Sequence, residues 1–279
     1  MSVYFVTGKL GSGKTLVCVG IIQKYLVSNR KVATNLDINM DEIVHKSNKA
    51  SLVRLPDKPR TSDLNALGQG SELVDESTYG ALVLDECATW LNSRTWNDKD
   101  RNNFVDWMLH ARKLGWDVYF IIQNIDIVDK QLRLMLGEHL VVCRRLDRLK
   151  IPFITSIIKF VSGVRVTMPK VHTAKVHYGD TEQGMVADRW TYRGKNLYKA
   201  YDTRQAFTDN IEILDGNETD MRASYSLLSH WHLKGRYIKK PSFVYPKTFL
   251  EFLIYPTWIL LCIVKSVADV PSRRVGTSA

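Results

Sequence analysis

The sequence has no CxxC pair, and its four cysteines (Cys18, Cys87, Cys143, Cys262) stand far apart with no histidine at ligand spacing. That excludes a disulfide framework and a zinc site, and it predicts a reduced, cytosol-facing domain. No internal repeat and no long low-complexity tract is present. A signal peptide is not expected either, because the opening MSVYFVTG reads as a strand running into a glycine loop. Broad positive charge is also lacking over most of the chain. The net charge is +10, yet residues 1–220 carry 30 cations against 27 anions, and the last 59 residues carry nine against two. The excess is therefore a C-terminal feature, not the footprint of a nucleic-acid-binding domain.

What is present is the composition of a folded chain. Of 279 residues, 45% are apolar and 24% charged, which excludes disordered, collagen-like and membrane-bundle classes. At about 100–200 residues per domain, one large domain or one plus a smaller appendage is expected. A core large enough to need neither disulfide nor metal is within reach.

The run Val3 to Val6 suits a short buried strand, and Gly8-Lys9-Leu10-Gly11-Ser12-Gly13-Lys14-Thr15 follows it. The pattern is a complete G-x-x-x-x-G-K-[ST]. Leu16, Val17, Val19, Ile21, Ile22, Tyr25 and Leu26 then give a helix with a wide apolar face. Strand, glycine loop and helix are the context this motif requires. The glycines let successive backbone N–H groups turn toward one phosphate, and the helix adds its positive end. Lys14 is placed to reach the β- and γ-phosphates of ATP, and the Thr15 hydroxyl to ligate Mg²⁺.

Residues 81–84 (Ala-Leu-Val-Leu) are apolar throughout, as in a central parallel strand, and Asp85-Glu86 follow at once. An acid there lies where ligands bind in open α/β sheets. Asp85 is assigned to Mg²⁺ and Glu86 to the attacking water, a role that hydrolysis needs. Val118 to Ile122 form a further strand ending in Gln123, whose amide either senses the γ-phosphate or bonds to local backbone. Lys31 to Thr34 and His139 to Cys143 read as two more strands. Phe104, Trp107, Met108, Ala111 and Leu114 recur at helical spacing before Gly115, and core packing accounts for them. Arg112, at the edge of that stripe, either complements the helix dipole or serves a neighbouring subunit as an arginine finger, with Arg94 and Arg133 as rivals.

Several longer stretches carry a family signature. VYFVTGKLGSGKTLV (3–17), LVLDECATWLNSRTWNDKDR (82–101), HARKLGWDVYFIIQ (110–123), IVDKQLR (127–133), CRRLDR (143–148) and RGKNLYKAYDTRQAF (193–207) resemble the filamentous-phage assembly ATPases of the zonular occludens toxin family. The resemblance covers nearly all of residues 1–207 and thins to fragments such as GRYIKK (235–240). It implies a protein of the host bacterium's inner membrane, single-pass, with its ATPase domain in the cytoplasm. ATP hydrolysis would drive virion assembly and export, exchanging the single-stranded DNA-binding protein for coat protein. The implied partners are the coat protein and single-stranded DNA complex, other phage assembly proteins, the membrane, and further copies of the chain. Only a few residues follow the apolar C-terminal run, so the family's periplasmic segment is expected to be missing or vestigial. A DNA translocation motor and a non-catalytic adaptor or toxin-like protein are the competing classes. The near-neutral first 220 residues argue against the former, and the intact Lys14, Thr15, Asp85 and Glu86 against the latter.

The expected fold class is α/β: a P-loop NTPase with a mainly parallel sheet, a small β-rich appendage and a C-terminal apolar membrane segment. The expected boundaries are 1–150 for the ATPase domain and 151–207 for the appendage. Within the latter, Val164, Val166, Met168, Val171, Val176 and Tyr178 suggest strands, and aromatics such as Trp190, Tyr192 and Tyr201 either pack a hairpin, the favoured reading, or contact a partner such as the coat protein. A linker and basic juxtamembrane segment fill 208–248, a span 249–270, and a short tail 271–279. The uncharged core of the span, Phe252 to Val264, covers only about 20 Å as helix against a bilayer core of roughly 30 Å. A buried or interfacial helix thus competes with insertion. Residues 221–250 hold six cations and no acid, which favours insertion with that side cytoplasmic.

Overall fold

The computed structural model describes residues 2–87, 98–128, 130–146, 171–193, 197–207, 211–214, 217–220 and 223–234. Residues from 235 onward lie outside the described residues. The expected span 249–270 and tail 271–279 therefore lie outside them, as do Arg94, Val164, Val166 and Met168. Among the described residues no helix is long and apolar enough to cross a membrane.

One nine-stranded sheet organises the fold. In chain order its strands are β1 (Val3–Thr7), β2 (Val32–Thr34), β3 (Ser51–Arg54), β4 (Gly80–Leu84), β5 (Trp116–Ile121), β6 (His139–Arg145), β7 (Val171–Tyr178), β8 (Val186–Arg193) and β11 (Tyr225–Leu228). Across the sheet they run β11-β3-β2-β4-β5-β1-β6-β7-β8. The six from β3 to β6 pair in parallel, and β7, β8 and β11 join antiparallel at the two sides. A two-stranded ribbon, β9 (Ile211–Leu214) with β10 (Asn217–Asp220), stands apart from it.

The parallel strands are apolar on both faces because helices cover both. On β1, Val3 and Phe5 face one layer and Val6 the other; on β5, Val118 and Phe120 alternate in the same way with Tyr119 and Ile121. One face is covered by α1 (Lys14–Val27) and α2 (Met40–Ile43), the other by α3 (Thr61–Ala66), α4 (Asp98–His110) and α5 (Lys130–Leu136). The α1 stripe is buried as its spacing predicts, from Leu16 and Val17 to Tyr25 and Leu26. Each such Leu, Ile or Phe contributes about 1.5–3 kcal/mol of burial. Gly20 on α1 has no side chain because the Tyr192 ring of β8 occupies that space.

Two expectations change here. The β-rich part of 151–207 is not a separate sheet: β6 pairs with β7 over seven residue pairs, from His139↔Tyr178 to Arg145↔His172, and β8 pairs onto β7. Antiparallel period-two patterning gives the same signal whether a hairpin stands alone or extends a neighbour. The expected linker from 208 also holds structure. β9 and β10 lie in it, and β11 returns to pair with β3, a four-residue strand too short to mark itself in the sequence. α6 (His230–Lys234) follows, with His232 on the Lys49 carbonyl at 2.7 Å and Ser229 on the Asn48 carbonyl.

Candidate functional site

The parallel strands β1, β4 and β5 end on one side of the sheet, and their loops enclose a cleft of about 620 Å³. Its lining includes Gly11, Gly13, Lys14, Thr15, Asp85, Glu86, Gln123 and Tyr201. Of the residues singled out in the sequence, all the expected catalytic and metal-site ones except Arg112 meet here.

The loop from Gly8 to Thr15 joins β1 to α1. Gly13 sits at φ 91°, in the left-handed region, directly before the first turn of α1. A side chain there is excluded twice over, by the backbone angle and by the His172 ring, which fills the space a Cβ would need. Lys14 Nζ donates to the Gly8 carbonyl at 3.1 Å, drawing the loop closed across its mouth. Lys9 and Leu10 are exposed at the tip. Ser12 is buried, and its Oγ finds no hydrogen-bond partner among the described residues.

Thr15 donates its hydroxyl to Asp85 Oδ2 at 2.8 Å, a contact between residues 70 apart in the chain. It brings the start of α1 against the end of β4, across the intervening β5. Burial lifts the Asp85 carboxyl to about 6, against the opposing pull of the Thr15 hydroxyl and the Glu86 N–H. The Glu86 N–H donates to Asp85 Oδ1 at 2.7 Å. Glu86 itself takes a positive φ of 53°, uncommon for a residue with a Cβ. Such local strain is found where a side chain must be aimed, here into the cleft.

Gln123 lies two residues past the end of β5, not at its last position as the apolar run suggests. Its backbone carbonyl accepts from the Thr7 hydroxyl at 3.2 Å, a contact that does not involve its side-chain amide, and the residue lines the cleft. Arg112 is elsewhere. It follows α4 in the turn leading into β5, at the amino ends of the strands, where it pairs with Glu76 at 3.6 Å with both side chains exposed. It does not reach the cleft of its own chain. Arg133 is closer in sequence to the cleft residue Ile127 and pairs with Asp126 at 3.1 Å.

One residue of the site went unread in the sequence. Asn35, fully buried just after β2, accepts from the Asp85 N–H at 2.8 Å and donates to the Asp85 carbonyl at 3.0 Å and the Asp57 carbonyl at 2.9 Å. It clamps the backbone on which the acid is mounted. A lone Asn after a three-residue strand carries no motif.

No cluster of three or more His, Cys, Asp or Glu occurs among the described residues. A hydroxyl and one carboxylate suit Mg²⁺, which keeps water and takes substrate phosphate as its other ligands. Thr15 and Asp85 are the pair in this cleft that could hold it.

The family model described as zonular occludens toxin (Zot) matches residues 2–184. The chain is 50% identical over 242 residues to the Gene 1 protein of Enterobacteria phage fd, covering 86% of this chain and 67% of that one. It is 51% identical over 216 residues to the Gene 1 protein of Salmonella phage IKe, covering 76% and 59%. Among solved structures it is similar to the N-terminal domain of zonular occludens toxin from Neisseria meningitidis, at 18% identity and a TM-score of 0.39, over 72% of this chain and 98% of that one. With its phosphate loop and acid pair inside the matched region, the chain belongs to the zonular occludens toxin family.

Proposed function

We propose that the chain is a membrane-associated ATPase that drives assembly and export of filamentous phage virions across the bacterial inner membrane, its nucleotide domain on the cytoplasmic side. The observation that carries the reading is the meeting of Lys14, Thr15, Asp85 and Glu86 in one cleft, with Thr15 and Asp85 in direct hydrogen bond. Half-identity to the phage Gene 1 proteins supports the phage setting.

The chemistry divides among the chain's own groups. Backbone N–H groups at the start of α1 and the Lys14 ammonium bind the polyphosphate, and Lys14 has donors to spare beyond the Gly8 carbonyl. Ser12 Oγ, buried and with no partner among the described residues, is a further group that a phosphate oxygen would satisfy. Glu86 orients and polarises the attacking water, and Gln123, which lines the same cleft, holds it or senses the γ-phosphate. Thr15 and Asp85 would hold Mg²⁺, which would supply charge neutralisation at the phosphate oxygens. The coat protein and single-stranded DNA complex, other assembly proteins, the membrane and further copies of the chain are the proposed partners.

Phosphate release from ATP by the full chain in detergent, with and without phage single-stranded DNA, tests this. Lys14→Ala is expected to abolish tight ATP binding, and Glu86→Gln to retain ATP while hydrolysis falls by about 10²–10⁴-fold. A parent chain no faster than Lys14→Ala refutes the ATPase reading. Strong stimulation by bare DNA favours a translocation motor instead.

A further inference from the structure

The residues from Leu197 to Phe207 lie beside the cleft, although more than 100 positions separate them from its acid pair. Leu197 and Ala200 are buried in the α1-side core. The segment is laid along residues 37–39, which follow β2. Asn39 N–H donates to the Ala200 carbonyl at 2.7 Å, Asp202 N–H to the Asp37 carbonyl at 3.3 Å, and Ile38 bridges to Tyr201.

From this rail, two side chains reach opposite halves of the site. Tyr198 meets the phosphate loop through His172 of β7: its hydroxyl is 2.9 Å from Nε2, and Nδ1 is 3.2 Å from the Ser12 carbonyl. A carbonyl only accepts, so Nδ1 carries a proton toward Ser12, and in the neutral ring Nε2 accepts from Tyr198. The imidazole is thereby fixed in one tautomer, with its ring against Gly13. Gln205 meets the acid half through Asn35. Its Nε2 donates to the Asn35 carbonyl at 2.9 Å, and its Oε1 accepts from Asp37 N–H at 2.9 Å. Between the two, Tyr201 and Thr203 form part of the cleft wall.

The phosphate loop and Asp85 hang on different strands, β1 and β4, with β5 between. Their direct link is the Thr15–Asp85 hydrogen bond, and a ligand that engages the Thr15 hydroxyl competes with it. We infer that Leu197–Phe207 is a positioning strap: Tyr198, through His172, sets the phosphate loop, and Gln205, through Asn35, sets the Asp85 backbone. The inference rests on reading the cleft as the ATP site. It predicts separable defects at the two ends, since each end governs a different half of the reaction.

Steady-state hydrolysis by the full chain, with ATP and Mg²⁺ titrated separately, gives the test. Tyr198→Phe is expected to raise the KM for ATP about five- to tenfold with kcat within twofold, the scale of one lost hydrogen bond. Gln205→Glu keeps the acceptor for Asp37 N–H but loses the donor to Asn35. It is expected to lower kcat about five- to tenfold and raise the Mg²⁺ requirement, with KM for ATP nearly unchanged. Hydrogen exchange on the ligand-free chain reads the same link without nucleotide. Tyr198→Phe should speed exchange at residues 9–15 and leave 85–86 as in the parent, and Gln205→Glu should do the reverse. Parental kinetics and parental exchange in both variants overturn the strap, as does an equal loss of kcat in both with one shared fall in melting temperature. A parent chain that hydrolyses nothing while the exchange pattern appears overturns the ATPase reading and leaves the strap standing.

Discussion

The two ends of the sheet each gather polar side chains, and they use them in opposite ways. At the amino ends of β1, β5 and β6 the hydroxyls and the carboxylate answer one another, while the buried Arg30 Nε and His139 Nδ1 find no partner among the described residues. Tyr25 donates to Asp117 Oδ2 at 2.7 Å and shares a 3.1 Å hydrogen bond with Tyr119, and Asp117 Oδ1 takes the Ser2 N–H at 2.9 Å. Tyr4 stacks on Tyr119 at 4.7 Å, and the Arg30 guanidinium lies 3.6 Å over the Tyr25 ring. At the carboxyl ends the pattern is open. Ser12 Oγ has no partner among the described residues, Glu86 is held at positive φ, and Asp85 is lifted to about 6 by burial. A closed network of this kind rigidifies a fold, and an open one stores binding capacity at some cost in stability.

Substitutions at the two ends should therefore separate activity from stability. Beyond Lys14 and Glu86, the largest effect is expected from Asp85→Asn, with hydrolysis down about 10²–10³-fold, the scale of losing one positioned electrostatic group. The same change should stabilise the ligand-free protein above pH 6. Because burial raises the Asp85 pKa from 3.8 to about 6, its contribution to stability is fully present below pH 4 and is lost as pH rises through 6. Asparagine stays neutral throughout, keeps an acceptor for the Glu86 N–H and offers its amide to the Thr15 hydroxyl. Melting curves from pH 4 to 8 check this: a variant that melts below the parent at pH 7.5 contradicts the strained-acid account.

Next in size, Tyr25→Phe removes a hydroxyl from the closed network and should cost about 1 kcal/mol in denaturant unfolding, with hydrolysis within twofold of the parent. A large fall in kcat would show that the amino end communicates with the cleft, and would break the contrast. The smallest effect is expected from Arg112→Ala, whose exposed pair with Glu76 is worth less than about 0.5 kcal/mol. Hydrolysis measured across protein concentration sharpens the point. Unchanged rates confine Arg112 to the surface of its own amino end. A hundredfold loss, recovered by mixing with Lys14→Ala chains, would give it a role in a second copy's cleft.

The central parallel strands and the cleft's principal groups were legible because each rests on local pattern. The run before Gly8, the apolar stretch before Asp85 and the one near Gln123 are all buried strands, and strand ends place their successors in the cleft. What escaped was made by distance. Asn35 matters only because β2 lies beside β4, and Gln205 only because its segment crosses the loop after β2. The hairpin of β7 and β8 announced itself as strands without disclosing which edge it joins. Its pairing onto β6 brings His172 under Gly13, and no periodicity carries that information.

Separation along the chain also has a meaning in time. Gln205 meets Asn35 across 170 residues, and His172 meets Ser12 across 160. At a synthesis rate of about 5–20 residues per second, Asn35 leaves the ribosome's catalytic centre roughly 8–34 s before Gln205 does. Throughout that interval the newborn phosphate loop exists without the groups that later brace it. The phosphate loop and Asn35 are thus made well before the groups that brace them.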